Sequence, residues 1–326
     1  PEYFALNGNN VRGPLQRDSP DRVKMCVSSP GLVQQAVADW LDDRERSPQG
    51  YKALCMAQND GGGGGAAEFC HCDACLALDV RHEGEAFGAH LTDRYMFLAN
   101  QALRAARQVV PGALVTAYAY SVTEEPPRRE RLEDGIVLQF VTSMAARTDE
   151  TRATYEGWQA QGATAFMFRP NDLCVELGLP LGHEQRIWAH QQLAVGYGAQ
   201  GTDHDSVYGL WTGISGLTYY VLARSHIEPD RPFDYWVQEY ARAFGAAEPQ
   251  VAAFFAHWRQ KFDETILPAN GAERADGGRG FLRWNGLGAV SSQIRQFYDE
   301  ADFDSTDSLL AQGAMQRLRD GERHRL

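Results

Sequence analysis

Between residues 30 and 228 short apolar runs alternate with amphipathic stretches, and this order restricts the fold more than any other feature of the chain. Parallel strands cannot be joined by a tight turn; each needs a crossover, most simply a helix packed back on the sheet. Ser29-Pro30 followed by Leu32, Val33, Ala36, Val37, Trp40 and Leu41 predicts a helix over 30–46, with Ser29 as N-cap and Pro30 at the first helical position. The apolar run Tyr51 to Ala57, ended by Gln58-Asn59-Asp60, reads as a buried strand. The pattern then repeats. Thr92 opens a helix with Tyr95, Ala99, Leu103 and Ala106 on one face, Pro111-Gly112 stops it, and Leu114 to Tyr120 reads as a strand. Strands follow at 136–141, 163–168 and 199–202, and helices at 149–161, 184–197 and 216–225.

Each predicted strand ends in polar residues, which in a parallel barrel share one mouth. A doubly wound sheet has the same property, but no Gly-x-Gly-x-x-Gly turn follows a first strand here. The expectation is an α/β chain with a (β/α)8-type TIM barrel over residues 1–228, followed by a helical C-terminal region over 229–326. Five strands are counted, with Arg22 to Val27 as a candidate sixth. The remaining strands are expected upstream of residue 1, because Pro1-Glu2-Tyr3-Phe4 is an extended aromatic start without an initiator Met. In the C-terminal region Phe233, Trp236, Val237, Tyr240 and Phe244 form one packing stripe, and Val251, Phe254, Phe255, Trp258 and Phe262 another. Residues 269–280 read as a Gly-rich linker, and 291–323 as helix broken by acidic residues at 299–307.

Charge narrows the partners. Lys and Arg total 31 against 43 Asp and Glu, a net charge of −12, which argues against a nucleic-acid partner. The cluster Arg128, Arg129 and Arg131 lies among Glu124, Glu125, Glu130 and Glu133 and reads as a solvated face. No apolar run approaches the roughly 18 to 20 residues of a membrane span.

The most distinctive segment is Asn59-Asp60 with five glycines at 61–65, then Phe69-Cys70-His71-Cys72-Asp73-Ala74-Cys75. The glycines lack the Gly-Lys-Ser/Thr ending of a phosphate loop and fit a loop shaping a pocket beside Asp60. Cys70, Cys72 and Cys75 can share one centre, with Cys26 or His71 as fourth ligand around a structural zinc. Structural cysteines, paired in disulfides or reduced, are the competing reading. A catalytic thiol is disfavoured because the sequence sets no basic partner beside them. Cys55 and Cys174 read as ordinary buried or loop thiols.

The succession Pro1 to Leu6, Met25 to Pro30, Asn59-Asp60, Phe69 to Cys75 and Ala77-Leu78-Asp79 resembles the bacterial domain of unknown function 4838 family, as do Ser215 to Arg224 and the helix at Tyr240 to Phe244. The resemblance spans residues 1 to about 260. It implies a barrel related to family 67 α-glucuronidases and family 20 hexosaminidases, and a secreted or periplasmic location.

The leading expectation is a glycoside hydrolase acting on a carbohydrate that contains uronic acid or amino sugar, by paired-carboxylate catalysis without a cofactor. Asp60 is one of the pair, and Asp172 precedes Asp203 as its partner. Asn59 would bind a sugar hydroxyl, Arg169 a uronate carboxylate, and Tyr118, Tyr120 and Trp211 sugar faces. Asp60 and Asp172 can equally be turn residues, Arg169 can pair with a nearby acid, and Trp211 can be core. The alternatives are a non-catalytic carbohydrate-binding or surface-interaction protein on a degenerate barrel, and metal-dependent hydrolysis at Asp203, His204 and Asp205.

Overall fold

A computed structural model describes residues 3–13, 23–47, 53–59, 65–142, 147–170, 179–204, 212–268, 295 and 297–325. They divide into two compact units. The first comprises Pro1–Val141, Asp149–Arg169 and Tyr197–Asp203; the second comprises Thr142–Thr148, Pro170–Gly196 and His204–Leu326.

The first unit holds one parallel sheet of β1 (Ala53–Cys55), β2 (Leu114–Ala119), β3 (Ile136–Phe140), β4 (Ala165–Phe168) and β5 (Ala199–Thr202), in the order β1-β2-β3-β4-β5. The order never reverses. With right-handed crossovers, a sheet that only advances carries its helices on one face, and the burial alternates accordingly. Val115, Ala117 and Ala119, Ile136, Leu138 and Phe140, and Phe166 and Phe168 are buried. The intervening Tyr118, Gln139 and Met167, paired across the strands, are only half-buried.

The helices α1 (Pro30–Arg46), α3 (Thr92–Val109) and α4 (Thr148–Ala160) match the predicted segments to within a residue or two, and a four-residue helix, α2 (Asp73–Leu76), lies in the cysteine segment. Ser29 occupies the N-cap of α1, but its hydroxyl makes no capping bond. α3 packs on β1, β2 and β3. On α4, Tyr155 stacks on Phe140 at 4.0 Å between ring centroids and meets Phe166 edge-on.

Two expectations for this unit are corrected. The run 51–57 is not a strand buried on both faces. Within it β1 spans Ala53–Cys55, has β2 as its one described neighbour, buries Leu54 and leaves Cys55 exposed. Nor does the stretch up to Val27 join the sheet: Met25 makes an isolated antiparallel bridge to Phe4, and Cys26 N–H donates to Tyr3 O.

The arginine cluster is also more than a solvated face. Arg128 forks onto Glu85 at 2.6 and 2.8 Å, while Arg129 and Arg131 donate to the carbonyls of Leu78 and Ala160. The backbone there is held by α3. Asp93 accepts the N–H groups of Arg128, Arg129 and Glu130, Thr92 donates to Glu125 O, and Asn100 donates to Arg131 O.

The second unit is helical: α5 (Glu184–Gly196), α6 (Thr212–Ile227), α7 (Phe233–Arg242), α8 (Glu248–Lys261), α9 (Glu300–Ala314) and α10 (Asp320–Arg325). Both aromatic stripes are core. Phe233, Trp236, Val237, Phe244, Val251 and Phe255 cluster with Leu217 and Val221, and Trp258, Phe262 and Ile266 cluster with Leu181, Phe297 and Tyr298. At Gly182 (φ +73°) the chain runs so close to the Trp258 backbone that a Cβ has no room.

The acidic stretch at 299–307 does not break the helix. Asp299 caps α9 by accepting from Asp302 N–H, and Asp302 takes Lys261 Nζ at 2.7 Å and His257 Nε2 at 3.2 Å. Acidic residues at a helix start meet the positive end of its dipole, so they open the helix. Among the described residues no helix is long and apolar enough to cross a membrane.

Tyr155 is fully buried, and among the described residues its hydroxyl finds no hydrogen-bond partner. Tyr155→Phe should therefore keep or raise stability in urea unfolding, whereas Tyr155→Ala should cost about 3–5 kcal/mol.

Glu184 is buried at the start of α5, and burial pushes its carboxyl up to about 7 from an ordinary 4.5. The unfolded chain ionises first, so the penalty is absent below pH 4.5, grows as pH rises to 7 and is constant above that. Glu184→Gln should consequently match the native chain near pH 4 and exceed it by on the order of 3 kcal/mol at pH 8. A stability difference independent of pH would refute this.

Candidate functional site

The half-buried face of the sheet carries a row of polar side chains at successive strand ends. Tyr118 comes from β2 and Gln139 from β3, and register places them opposite one another. Alternation along β4 sets Arg169 on the same face as Met167, and its N–H extends the ladder to Phe140 O. Asp203 follows β5, with its N–H on Phe168 O.

The side chains of this row meet. Arg169 Nη1 lies 3.0 Å from Asp203 Oδ2, Gln139 Nε2 donates to the same oxygen at 3.3 Å, and the Arg169 guanidinium stands 5.2 Å from the Tyr118 ring centroid. Both contacts to Asp203 come from donors, so its oxygen is held as an acceptor. Gln139 Oε1 has no hydrogen-bond partner among the described residues.

Arg169 and Asp203, which the sequence puts in one mouth without pairing, are thus an ion pair, with Tyr118 beside them. Gln139 escapes sequence reasoning because a single amide in an apolar strand carries no motif; its place at an alternate, half-buried strand position is the only signal.

The other expected residues fall elsewhere. Asp60, Asp172, Asp205 and Trp211, together with Cys174, lie outside the described residues. Asn59 is exposed, and its amide donates to Val23 O at 3.0 Å, while Lys24 Nζ donates to its carbonyl. Tyr120 follows β2, and its carbonyl accepts from Gln58 Nε2. Glu124 and Glu125 are exposed, with carbonyls bound by Trp158 Nε1 and Thr92.

The second constellation is the cysteines. Cys26, Cys70, Cys72 and Cys75 converge, their four sulfurs lying within 4.8 Å of one another. Cys26, not His71, is the fourth member: the His71 ring packs against Phe87 at 4.2 Å, and burial lowers its pKa. Ser28 Oγ stands 3.1 Å from Cys75 Sγ and 3.6 Å from Cys72 Sγ, and Leu6 N–H donates to Cys70 Sγ at 3.3 Å. Arg12, on the N-terminal segment, donates through Nη1 to Phe4 O at 2.9 Å. Hydrogen bonds from Cys70 and Cys75 draw the Cys26 thiol far below its usual range. Contacts with Cys26 and Cys70, together with burial, push the Cys75 thiol up.

Beneath the quartet sits a fully buried ion pair. Arg94 of α3 forks onto Asp79 at 2.6 Å through both Nε and Nη2, and Nη1 donates to Cys70 O at 2.9 Å. No other group of three or more His, Cys, Asp and Glu side chains among the described residues brings its donor atoms together in this way.

The family described as Domain of unknown function (DUF4838) matches residues 1–256, more than three-quarters of the chain, and the chain belongs to that family. No curated protein and no solved structure matches it.

Because the two buried charges compensate one another, Asp79→Ala should leave Arg94 unpaired and lower the unfolding free energy by about 3–5 kcal/mol. It should also speed alkylation of Cys70 in the folded protein. A loss below about 1 kcal/mol, with Cys70 unchanged, would show that the pair does not anchor the cysteine segment.

Proposed function

We propose that this member of the family is a glycoside hydrolase whose site lies on the half-buried face of the parallel sheet, at the strand ends. The observation that carries the reading is the polar row formed by Tyr118 and Gln139 in β2 and β3 and by Arg169 and Asp203 directly after β4 and β5. The singly wound strand order supports taking the sheet as an arc of a (β/α)8 barrel, and in such a barrel these positions face the mouth.

Hydrolysis of a glycosidic bond needs one carboxylic acid to protonate the leaving oxygen and a second carboxylate as base or nucleophile. Asp203 suits the second role, because Arg169 and Gln139 both donate to its Oδ2 and fix its position at the strand end. Asp60, next in sequence after Asn59 beyond β1, is assigned the acid, with Asp172 as the competing partner. Tyr118 would stack on a sugar face, with Gln139 holding Asp203 beside it. Arg169 is already engaged by Asp203, so any uronate carboxylate would have to share it. No cofactor takes part in this chemistry, and a structural metal at the four cysteines would hold chain segments only.

The test is hydrolysis of a panel of aryl glycosides, uronides and amino-sugar glycosides by the native chain, Asp60→Asn and Asp203→Asn. Each variant should lower kcat roughly 10²- to 10⁴-fold while circular dichroism stays native. Sugar binding without hydrolysis of any substrate would replace the reading with the non-catalytic carbohydrate-binding protein. Activity that survives Asp60→Asn would remove that residue from the pair.

A further inference from the structure

The geometry points to Cys26, Cys70, Cys72 and Cys75 as the complete ligand set of one tetrahedral zinc ion, which staples the N-terminal segment of the chain to the cysteine-bearing segment before α3. In a zinc tetrathiolate with bonds of about 2.3 Å, the sulfurs sit at the corners of a tetrahedron whose edge is about 3.8 Å. Here Cys26 to Cys75 is 3.8 Å, Cys26 to Cys72 is 3.7 Å and Cys70 to Cys72 is 3.4 Å. A disulfide requires about 2.05 Å between one pair and a parting from the others, and no such pairing is found among these four.

The surroundings suit bound thiolates. Leu6 N–H donates to Cys70 Sγ at 3.3 Å, and Ser28 Oγ, 3.1 Å from Cys75 Sγ, can turn its hydrogen toward a thiolate. Four thiolates around one divalent cation leave a net charge of −2, which such donors offset. Soft sulfur in a closed tetrahedron selects zinc over the hard divalent cations, and four protein ligands leave no open position, so the ion is structural.

The ligands come from segments far apart in sequence, and local hydrogen bonds show what the ion joins. Cys26 lies in the stretch paired with residues 3–5 through Cys26 N–H to Tyr3 O and Ala5 N–H to Lys24 O. Cys70, Cys72 and Cys75 lie in the stretch joined to the same N-terminal segment by His71 N–H to Leu6 O and Gly8 N–H to Ala67 O. With Asn59 tied to Val23 and Lys24, the described residues on both sides of the 60–64 stretch are fastened to the clamped segments. Without the ion, residues 3–13 and 23–29 keep these hydrogen bonds but lose the link through Cys26.

The experiment is metal analysis of the full chain, purified without a histidine tag after expression in zinc-replete medium. One zinc per chain is expected, released to a colorimetric chelator in step with mercurial modification of four thiols. Replacement by cobalt(II) should give the strong visible bands of tetrahedral thiolate coordination. Cys55→Ser should keep the full zinc content, Cys72→Ser should lose it, and Ser28→Ala should weaken affinity roughly 10- to 100-fold. Removing the ion should speed amide exchange in residues 3–13 and 23–29. Should Cys72→Ser fail to fold, the metal count of the native chain decides alone. A natively folded, zinc-free protein with these thiols either alkylatable or joined as disulfides would overturn the inference, and so would stoichiometric iron in their place.

Discussion

Parallel pairing is the constraint from which the first unit follows. A strand that must run in the same direction as its neighbour cannot return through a hairpin, so the chain has to climb back over the sheet between one strand and the next. Within the first unit the helices α3 and α4 both pack on the face that buries Phe140 and Phe166. One face of the sheet is thereby committed to Tyr155, the α3 stripe and the aromatic side chains beneath them. The opposite face is spared for polar residues. An ion pair such as Arg169 with Asp203 could not occupy the α4 side, where Phe140 and Phe166 meet Tyr155.

The order of elements was legible because hydrophobic periodicity is set locally. Leu103 and Ala106 reveal the buried side of α3 whatever they pack against, and the end of that helix is announced by Pro111-Gly112. Burial depends on neighbours, and there the reading failed. The apolar run around Leu54 looks the same in sequence whether one strand or two flank it. The acidic residues around Asp302 read in sequence as a gap in a helix, yet at the first turn their charge meets the positive end of the dipole and is favourable.

The candidate sites divide along the same line. The three cysteines at 70, 72 and 75 announce themselves by spacing, and the structure selects Cys26 over His71 as the fourth by bringing a sulfur from 44 residues upstream of Cys70 into the group. Ser28 and Arg94, which surround or support that group, have no sequence signature, since their roles exist only after distant segments have met. Gln139 and the mutual pairing of Arg169 with Asp203 are of the same kind: strand register creates them.

The three amides that converge on Asp93 make one helical side chain the anchor of a distant loop. Arg128, Arg129 and Glu130 satisfy their N–H groups on a carboxylate 35 to 37 residues earlier, and Thr92 and Asn100 of the same helix bind the flanking carbonyls. The first part of the connection between β2 and β3 is held by its own turn at Ser121–Thr123, whereas its second part borrows its hydrogen-bond partners from α3. Through Asp93 the helix thus governs the shape of a loop it is not joined to in sequence.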